Sequence, residues 1–283
     1  MVVDWCLVCL RNAYIFLVVY FYMMNVHLVV CGTSVVENYK RSSGVSDDDK
    51  RICDDDVELF RRATPADWFF LRVYEFVRVD PFRASAELNS MRKFLEAKAV
   101  DEVYLYYTDT GKGVFCAKVI EKFLVDCYGL RCSSIKVEGF GVKGFFEDGL
   151  INLLDKLMGK IGELHRAGVN VYLNATGGFK PENAIAVLAA SLLNVKNIYY
   201  IHERFQDVEM IPIFPISITS DYIKPLKKLY DDYRLHGFTP KGEFEKIYGM
   251  DMIEDLKDRN LIKEEDGRLV LRKWTVTILK YAL

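Results

Sequence analysis

Asn170-Val-Tyr-Leu-Asn174-Ala-Thr-Gly-Gly-Phe-Lys180-Pro-Glu-Asn183 is the stretch on which the reading of the fold turns. Five residues suited to a buried strand run into a two-glycine turn, and Pro181 then opens an apolar helical pattern over Glu182–Leu193. Strand, glycine turn and helix in that order form the repeating unit of a parallel sheet. Two glycines let backbone N–H groups approach an anion, the helix directs its positive end at the same point, and Lys180 adds a mobile charge. The same residues also suit a plain glycine turn with a solvated lysine. The GxxxxGK[ST] phosphate loop is absent.

The same grammar recurs at Val26–Cys31, Val103–Tyr107 and Ser133–Val137, and another apolar run, Asn197–His202, follows the helix. The pattern predicts an α/β fold with a Rossmann-like, doubly wound, mostly parallel sheet. Between the first two strands lies a helical insertion over 42–100, with patterns at Asp47–Arg62, Pro65–Arg78 and Ala84–Lys98. Its acidic triplets, Asp47–Asp49 and Asp54–Asp56, read as a solvated loop and a helix start. Ile211-Pro-Ile-Phe-Pro215 reads as the exit strand, because two prolines in five residues suit an edge. Helical patterns at Tyr222–Arg234, Lys241–Tyr248 and Met250–Asn260, an alternating segment around Asp266-Gly267 and a final helix then describe a C-terminal winged helix-turn-helix. The expected domains are 25–217 for the sheet and 218–283 for the winged helix.

The chain has 283 residues, 51% hydrophobic and 28% charged, which fits a globular protein and excludes collagen-like and wholly disordered classes. With 38 basic and 40 acidic side chains the formal net charge is −2, so no global field draws it onto a nucleic acid or an anionic membrane. A polyanion has to be held by a local site. Seven cysteines without the density of a disulfide scaffold fit a reducing, cytoplasmic setting. Cys6 and Cys9 have CxxC spacing, but no second pair joins them and the four histidines are scattered, so no metal is expected.

Residues 1–24 admit two readings. No Asp, Glu, Lys or Arg occurs from Asn12 to Val36, yet Val26–Val30 is already used as a strand. Asn12–Met24 alone gives about 20 Å of helix against a bilayer core of about 30 Å. Extending back to Trp5 restores the length and places Arg11 inside the span. The segment is either an apolar leader or extra core element, with Met23 or Met24 as an alternative start, or a membrane anchor through residues 5–24.

Ligands of an open parallel sheet bind beyond the carboxyl ends of its strands. Three loops reach that edge. Asn174, Thr176, Gly177, Gly178 and Lys180 form one. Gly32, Thr33 and Ser34 form the second; Ser34 and Glu37 have capping-box spacing, so Ser34 serves either the helix start or a ligand. Asp109, Thr110 and Gly111 form the third, with Asp109 a helix cap or a partner for ribose hydroxyls. No GxGxxG follows the first strand, and neither GxSxG nor HExxH occurs, so no cofactor is expected. Backbone amides, hydroxyls and one lysine suit holding and reorienting phosphates.

Cys-Gly-Thr-Ser at 31–34, Ser85-Ala-Glu-Leu-Asn-Ser90, Asp109-Thr-Gly111, Asn174-Ala-Thr-Gly-Gly-Phe-Lys180 and Ile198-Tyr-Tyr-Ile-His-Glu203 together resemble the CARF (CRISPR-associated Rossmann fold) family. The resemblance covers roughly Asn25–Ser217 and is greatest to archaeal members with a C-terminal winged helix that sense or degrade cyclic tetraadenylate. It implies a homodimer whose two sheet edges share one cyclic ligand, and a hollow lined by amides and positive charge. It further implies ring-nuclease chemistry without a metal: a ribose 2′-hydroxyl attacks its own phosphate and leaves a 2′,3′-cyclic phosphate. Lys180 then supplies charge to the phosphorane and Ser34 orients the ribose or phosphate, the two catalytic residues. The other expected roles are a sensor that does not cleave, acting as a membrane effector, and a DNA-binding regulator. Against the last, Met250–Asn260 carries Asp251, Glu254, Asp255 and Asp258 where a recognition helix would meet phosphates, although Lys263, Arg268, Arg272 and Lys273 lie on the wing side.

Overall fold

The computed structural model describes residues 23–139, 146–178, 180–201 and 207–283. The readings of Cys6, Cys9 and nearly all of the 1–24 segment lie outside those residues, as do Phe179, His202 and Glu203. Among the described residues no helix is long and apolar enough to cross a membrane.

Strand β1 (Asn25–Cys31) is buried from Val26 onward, which is why it reads as an apolar run interrupted only by His27. It is the centre of a six-stranded sheet with β2 (Glu102–Thr108), β3 (Arg131–Val137), β4 (Asn170–Asn174), β5 (Asn197–Ile201) and β6 (Val208–Met210), in the order β3-β2-β1-β4-β5-β6. The first five are parallel, and β6 pairs antiparallel with β5. The chain builds outward through β2 and β3, then returns to the other flank of β1 with β4. The order therefore reverses between β1 and β4, where Val29 lies opposite Asn174. A crevice at the carboxyl ends of these two strands follows from that topology.

Alternation along β1 divides the core. Val29 and Cys31 face a layer made of α1 (Ser34–Arg41), α2 (Asp47–Asp54), α3 (Asp56–Arg62), α4 (Trp68–Val79), α5 (Pro81–Ala84), α6 (Ala86–Glu96) and α7 (Gly111–Tyr128). Val26, Leu28 and Val30 face α8 (Phe146–Arg166) and α9 (Lys180–Leu192). His27 lies on the first face with no exposure, stacked on Tyr172 at 4.7 Å, its Nδ1 2.8 Å from the Tyr199 hydroxyl.

The insertion differs from its sequence reading in one instructive place. The pattern over Asp47–Arg62 is two helices, because the Asp55 carboxylate accepts the N–H groups of Val57 and Glu58 and starts α3 afresh. The exit segment also differs: after Ile211 donates its N–H to Ile198 the chain carries no regular structure up to α10.

Beyond it, α10 (Ser220–His236), α11 (Lys241–Tyr248), α12 (Met250–Asp258) and α13 (Lys273–Ala282) surround a three-stranded antiparallel sheet, β7 (Thr239–Pro240), β8 (Ile262–Glu265) and β9 (Arg268–Leu271). Asp266 and Gly267 join β8 to β9 with φ of 48° and 73°, the backbone of a two-residue hairpin turn that pairs Glu265 with Arg268. Leu226, Phe244, Ile253 and Leu269 head a core separate from the two on the large sheet. Helix α13 also reaches α8, through Lys273 to Asp148 at 2.7 Å and Tyr281 to Asp155 at 3.0 Å.

Candidate functional site

Two turns meet backbone to backbone where the strand order reverses. A Cβ on Gly32 would stand 2.7 Å from the Gly178 nitrogen, and one on Gly177 would stand 2.4 Å from the Val30 carbonyl oxygen. Gly178 has φ of +80°, a conformation that side chains disfavour. The glycines thus bring the β1–α1 and β4–α9 turns closer than any side chain allows.

Beside this contact lies a hollow of about 760 Å³. Gly32, Thr33 and Ser34 line it from one turn, and Thr176, Gly177 and Gly178 from the other. Thr108, Thr110 and Lys112 close it from β2 and α7, while Asp56, Ala86 and Glu87 reach in from the insertion. Seven of the residues expected from sequence are therefore brought together: Gly32, Thr33, Ser34, Thr110, Thr176, Gly177 and Gly178.

The other four are placed differently. Asn174 has no exposure and sits beneath the turn, donating to Ser90 Oγ at 2.7 Å and accepting the Thr176 N–H at 3.2 Å; it shapes the loop from below. Gly111 is buried under Asp56. Asp109 accepts the Gly139 N–H at 3.0 Å, and the cap of α7 is Thr110, whose hydroxyl accepts from Gly113. Lys180 is exposed at the first residue of α9 and is not among the lining residues.

Electrostatically the hollow departs from the expected positive lining. Glu37, Asp56, Glu87 and Glu182 contribute four carboxylates against one lysine, Lys112, whose ammonium pairs with Glu37 at 2.9 Å. Asp56 and Glu87 are engaged by the backbone. Asp56 accepts the N–H groups of Gly111 and Lys112 at 2.8 and 2.9 Å, at the positive end of α7. Glu87, with no exposure, accepts the Gly32 N–H at 2.7 Å and the hydroxyls of Ser34 and Ser85 at 2.8 and 2.7 Å. Burial pushes the neighbouring Cys31 thiol far up, with Glu87 adding to it, which disfavours the thiolate. Among the described residues no group of three or more His, Cys, Asp or Glu is arranged to hold a metal ion.

Sequence reasoning placed none of Glu87, Asp56, Glu37, Lys112 or Glu182 in the ligand site. Ser34 was legible as a loop hydroxyl, but its partner is not the capping-box glutamate. Thr33 caps α1 without a side-chain bond, and the Ser34 hydroxyl goes to Glu87, across 53 residues of sequence.

The fold is thus a doubly wound α/β sheet with a hollow at its order reversal. Residues 82–214 match the model of a family of CRISPR-associated proteins, Cas_APE2256. That segment includes Glu87, Gly177 and Gly178 and excludes the β1 turn. Among solved structures the chain is similar to protein VC1899 from Vibrio cholerae, at 8% identity and a TM-score of 0.37, over 92% of this chain and 65% of that one. It is also similar to Can2 from Sulfobacillus thermosulfidooxidans, solved in complex with cyclic tetra-adenylate, at 11% identity and a TM-score of 0.32, over 90% of this chain and 63% of that one. The chain spans less than two thirds of the length of either.

Proposed function

We propose that the hollow binds a cyclic oligoadenylate, cyclic tetraadenylate in the first instance, and that the protein cleaves it slowly as a metal-independent ring nuclease of CRISPR defence. The observation that carries this reading is the pair of glycine turns at the order reversal, pressed together beside a hollow that contains Ser34. The family match over residues 82–214 supports the CRISPR setting. Carboxylates in the hollow suit ribose hydroxyls and the adenine amino group, all donors. The phosphates then lie at the rim, on the side of the exposed Lys180.

In this reading residues 25–217 are a CARF-type sensor and 218–283 a winged helix-turn-helix, and two protomers share one ring across a twofold axis. The protein supplies orientation, holding the 2′-oxygen in line with the departing 5′-oxygen, and charge for the phosphorane. Among the described residues no histidine lines the hollow, and this reading expects slow turnover. Incubating the purified chain with cyclic oligoadenylates of several ring sizes in EDTA, followed by product analysis, tests ligand, reaction and metal independence together.

The position of Lys180 outside the hollow favours a second reading, sensing without cleavage. A ligand recovered intact after prolonged incubation, with saturable binding, distinguishes it. A DNA-binding output is disfavoured by the ion pairs along α12 and the hairpin that follows it: Arg259 pairs with Asp255, Lys257 with Glu264 and Lys263 with Glu265. A gel-shift series over salt, with and without cyclic tetraadenylate, checks this.

A further inference from the structure

Ser34 and Ser85 share one unusual arrangement. Each hydroxyl accepts a backbone N–H, Ser34 from Ala86 at 3.1 Å and Ser85 from Leu88 at 3.2 Å, and each donates its hydrogen to the same oxygen, Oε2 of Glu87. The other oxygen, Oε1, is held by the Gly32 N–H. A hydroxyl has one hydrogen and two lone pairs. The Ser34 hydrogen and one lone pair are therefore committed, and among the described residues nothing meets the second lone pair. Ser34 lines the hollow. The group it presents there is an acceptor, which repels a phosphate oxygen and welcomes a hydroxyl.

We infer that Glu87 is a positioning residue for cleavage, acting through Ser34 as a two-step proton relay from the ribose 2′-hydroxyl. This deepens the ring-nuclease reading and rests on it. The 2′-hydroxyl donates to Ser34 Oγ. As the 2′-oxygen bonds to its own phosphorus and the P–O5′ bond breaks, the 2′ proton passes to Ser34 and the Ser34 proton passes to Glu87. The departing 5′-oxygen takes a proton from water, and the hydroxide so formed recovers the proton from Glu87. No proton is gained or lost over the cycle, and no cofactor enters it.

The carboxylate is also what keeps Ser34 facing the right way. A glutamine at 87 would accept the Gly32 N–H with its carbonyl and donate its amide hydrogens to the two serines. The Ser34 hydrogen would then turn outward, presenting a donor to the hollow in place of an acceptor. Shape is conserved and polarity is reversed, which separates the relay from a packing role.

The test compares the parent chain with Glu87→Gln, measuring cyclic tetraadenylate binding and single-turnover cleavage in EDTA, with thermal melts to establish folding. The expected result for Glu87→Gln is saturable binding weakened by no more than about tenfold and, at saturating ligand, cleavage slower by about a hundredfold or more. Cleavage within threefold of the parent overturns the relay. A parent that binds and never cleaves overturns the ring-nuclease reading instead, so the two failures are distinct. Should Glu87→Gln fail to fold, Glu87→Asp carries the same split, because it keeps the charge but is one methylene short of Ser34. In the double variant Ser34→Ala/Glu87→Gln the two losses must fail to add, since the pair acts as one unit; additive losses contradict the relay.

Discussion

Asp56 grips the start of α7 from the far side of the insertion, one oxygen on the Gly111 N–H at 2.8 Å, while its own carbonyl oxygen stands 1.7 Å from where a Cβ of Gly111 would lie. Side chain and backbone of one aspartate thus fix a helix that begins 55 residues later. The carboxylate neutralises two amides that a helix start leaves unpaired. The closeness of the main chain is the more demanding part.

Two substitutions separate these contributions. Asp56→Ala is expected to cost about 1 kcal/mol, the usual loss of a helix-start partner. Gly111→Ala forces backbone against backbone, which no side-chain rotation relieves, and is expected to cost about 1–3 kcal/mol or more. Urea unfolding of both variants gives the ranking, and an equal cost would contradict the geometry.

Gly32→Ala is expected to destroy ligand binding along with part of the stability. Its Cβ would meet the Gly178 nitrogen at 2.7 Å, so the two turns have to part. Titration with cyclic tetraadenylate should show affinity lost in a protein that still folds. Parent-like affinity would show that the ligand does not depend on the contact.

Acid should unfold this protein partly through His27. Burial pushes its imidazole down to about 3 from the ordinary 6.5, so the folded chain keeps it neutral while the unfolded chain takes up the proton first. The stability contribution is full above about pH 6.5 and is lost as pH falls toward 3, about 2 kcal/mol of it by pH 5. His27→Phe should flatten that slope while lowering stability at neutral pH, because the Tyr199 hydroxyl loses its hydrogen bond to the imidazole. Urea unfolding at pH 7, 6 and 5 checks it, and an unchanged slope would refute the role of His27.

Lys180→Ala is expected to retain much of the ligand binding and lose cleavage, by about 10²–10³-fold if the ammonium meets the phosphorane. Its exposed position outside the lining of the hollow makes this a demanding test. Unchanged single-turnover cleavage in the variant removes Lys180 from the reaction.

The central strand of the large sheet was legible because a parallel strand covered on both faces is mostly apolar, as Val26, Leu28, Val29 and Val30 are. The glycine turns were legible for a related reason, since only glycine permits the approach of Gly32 to Gly178. The acidic half of the site was not legible. Asp56 belongs to a triplet that reads as solvated charge, and Glu87 stands in the first turn of a helix, where a glutamate is commonplace. What gives each its role is a partner more than 50 residues away, Ser34 for Glu87 and Gly111 for Asp56, and local periodicity carries no trace of such closures. Asp55 escaped for the opposite reason: its cap is local, but a continuous helical pattern runs across it.

The most direct test of the account is the fate of cyclic tetraadenylate with the purified protein in EDTA. The account predicts saturable binding and slow conversion to linear products ending in a 2′,3′-cyclic phosphate. An absence of binding, to this ring or to any of its neighbours in size, would contradict it.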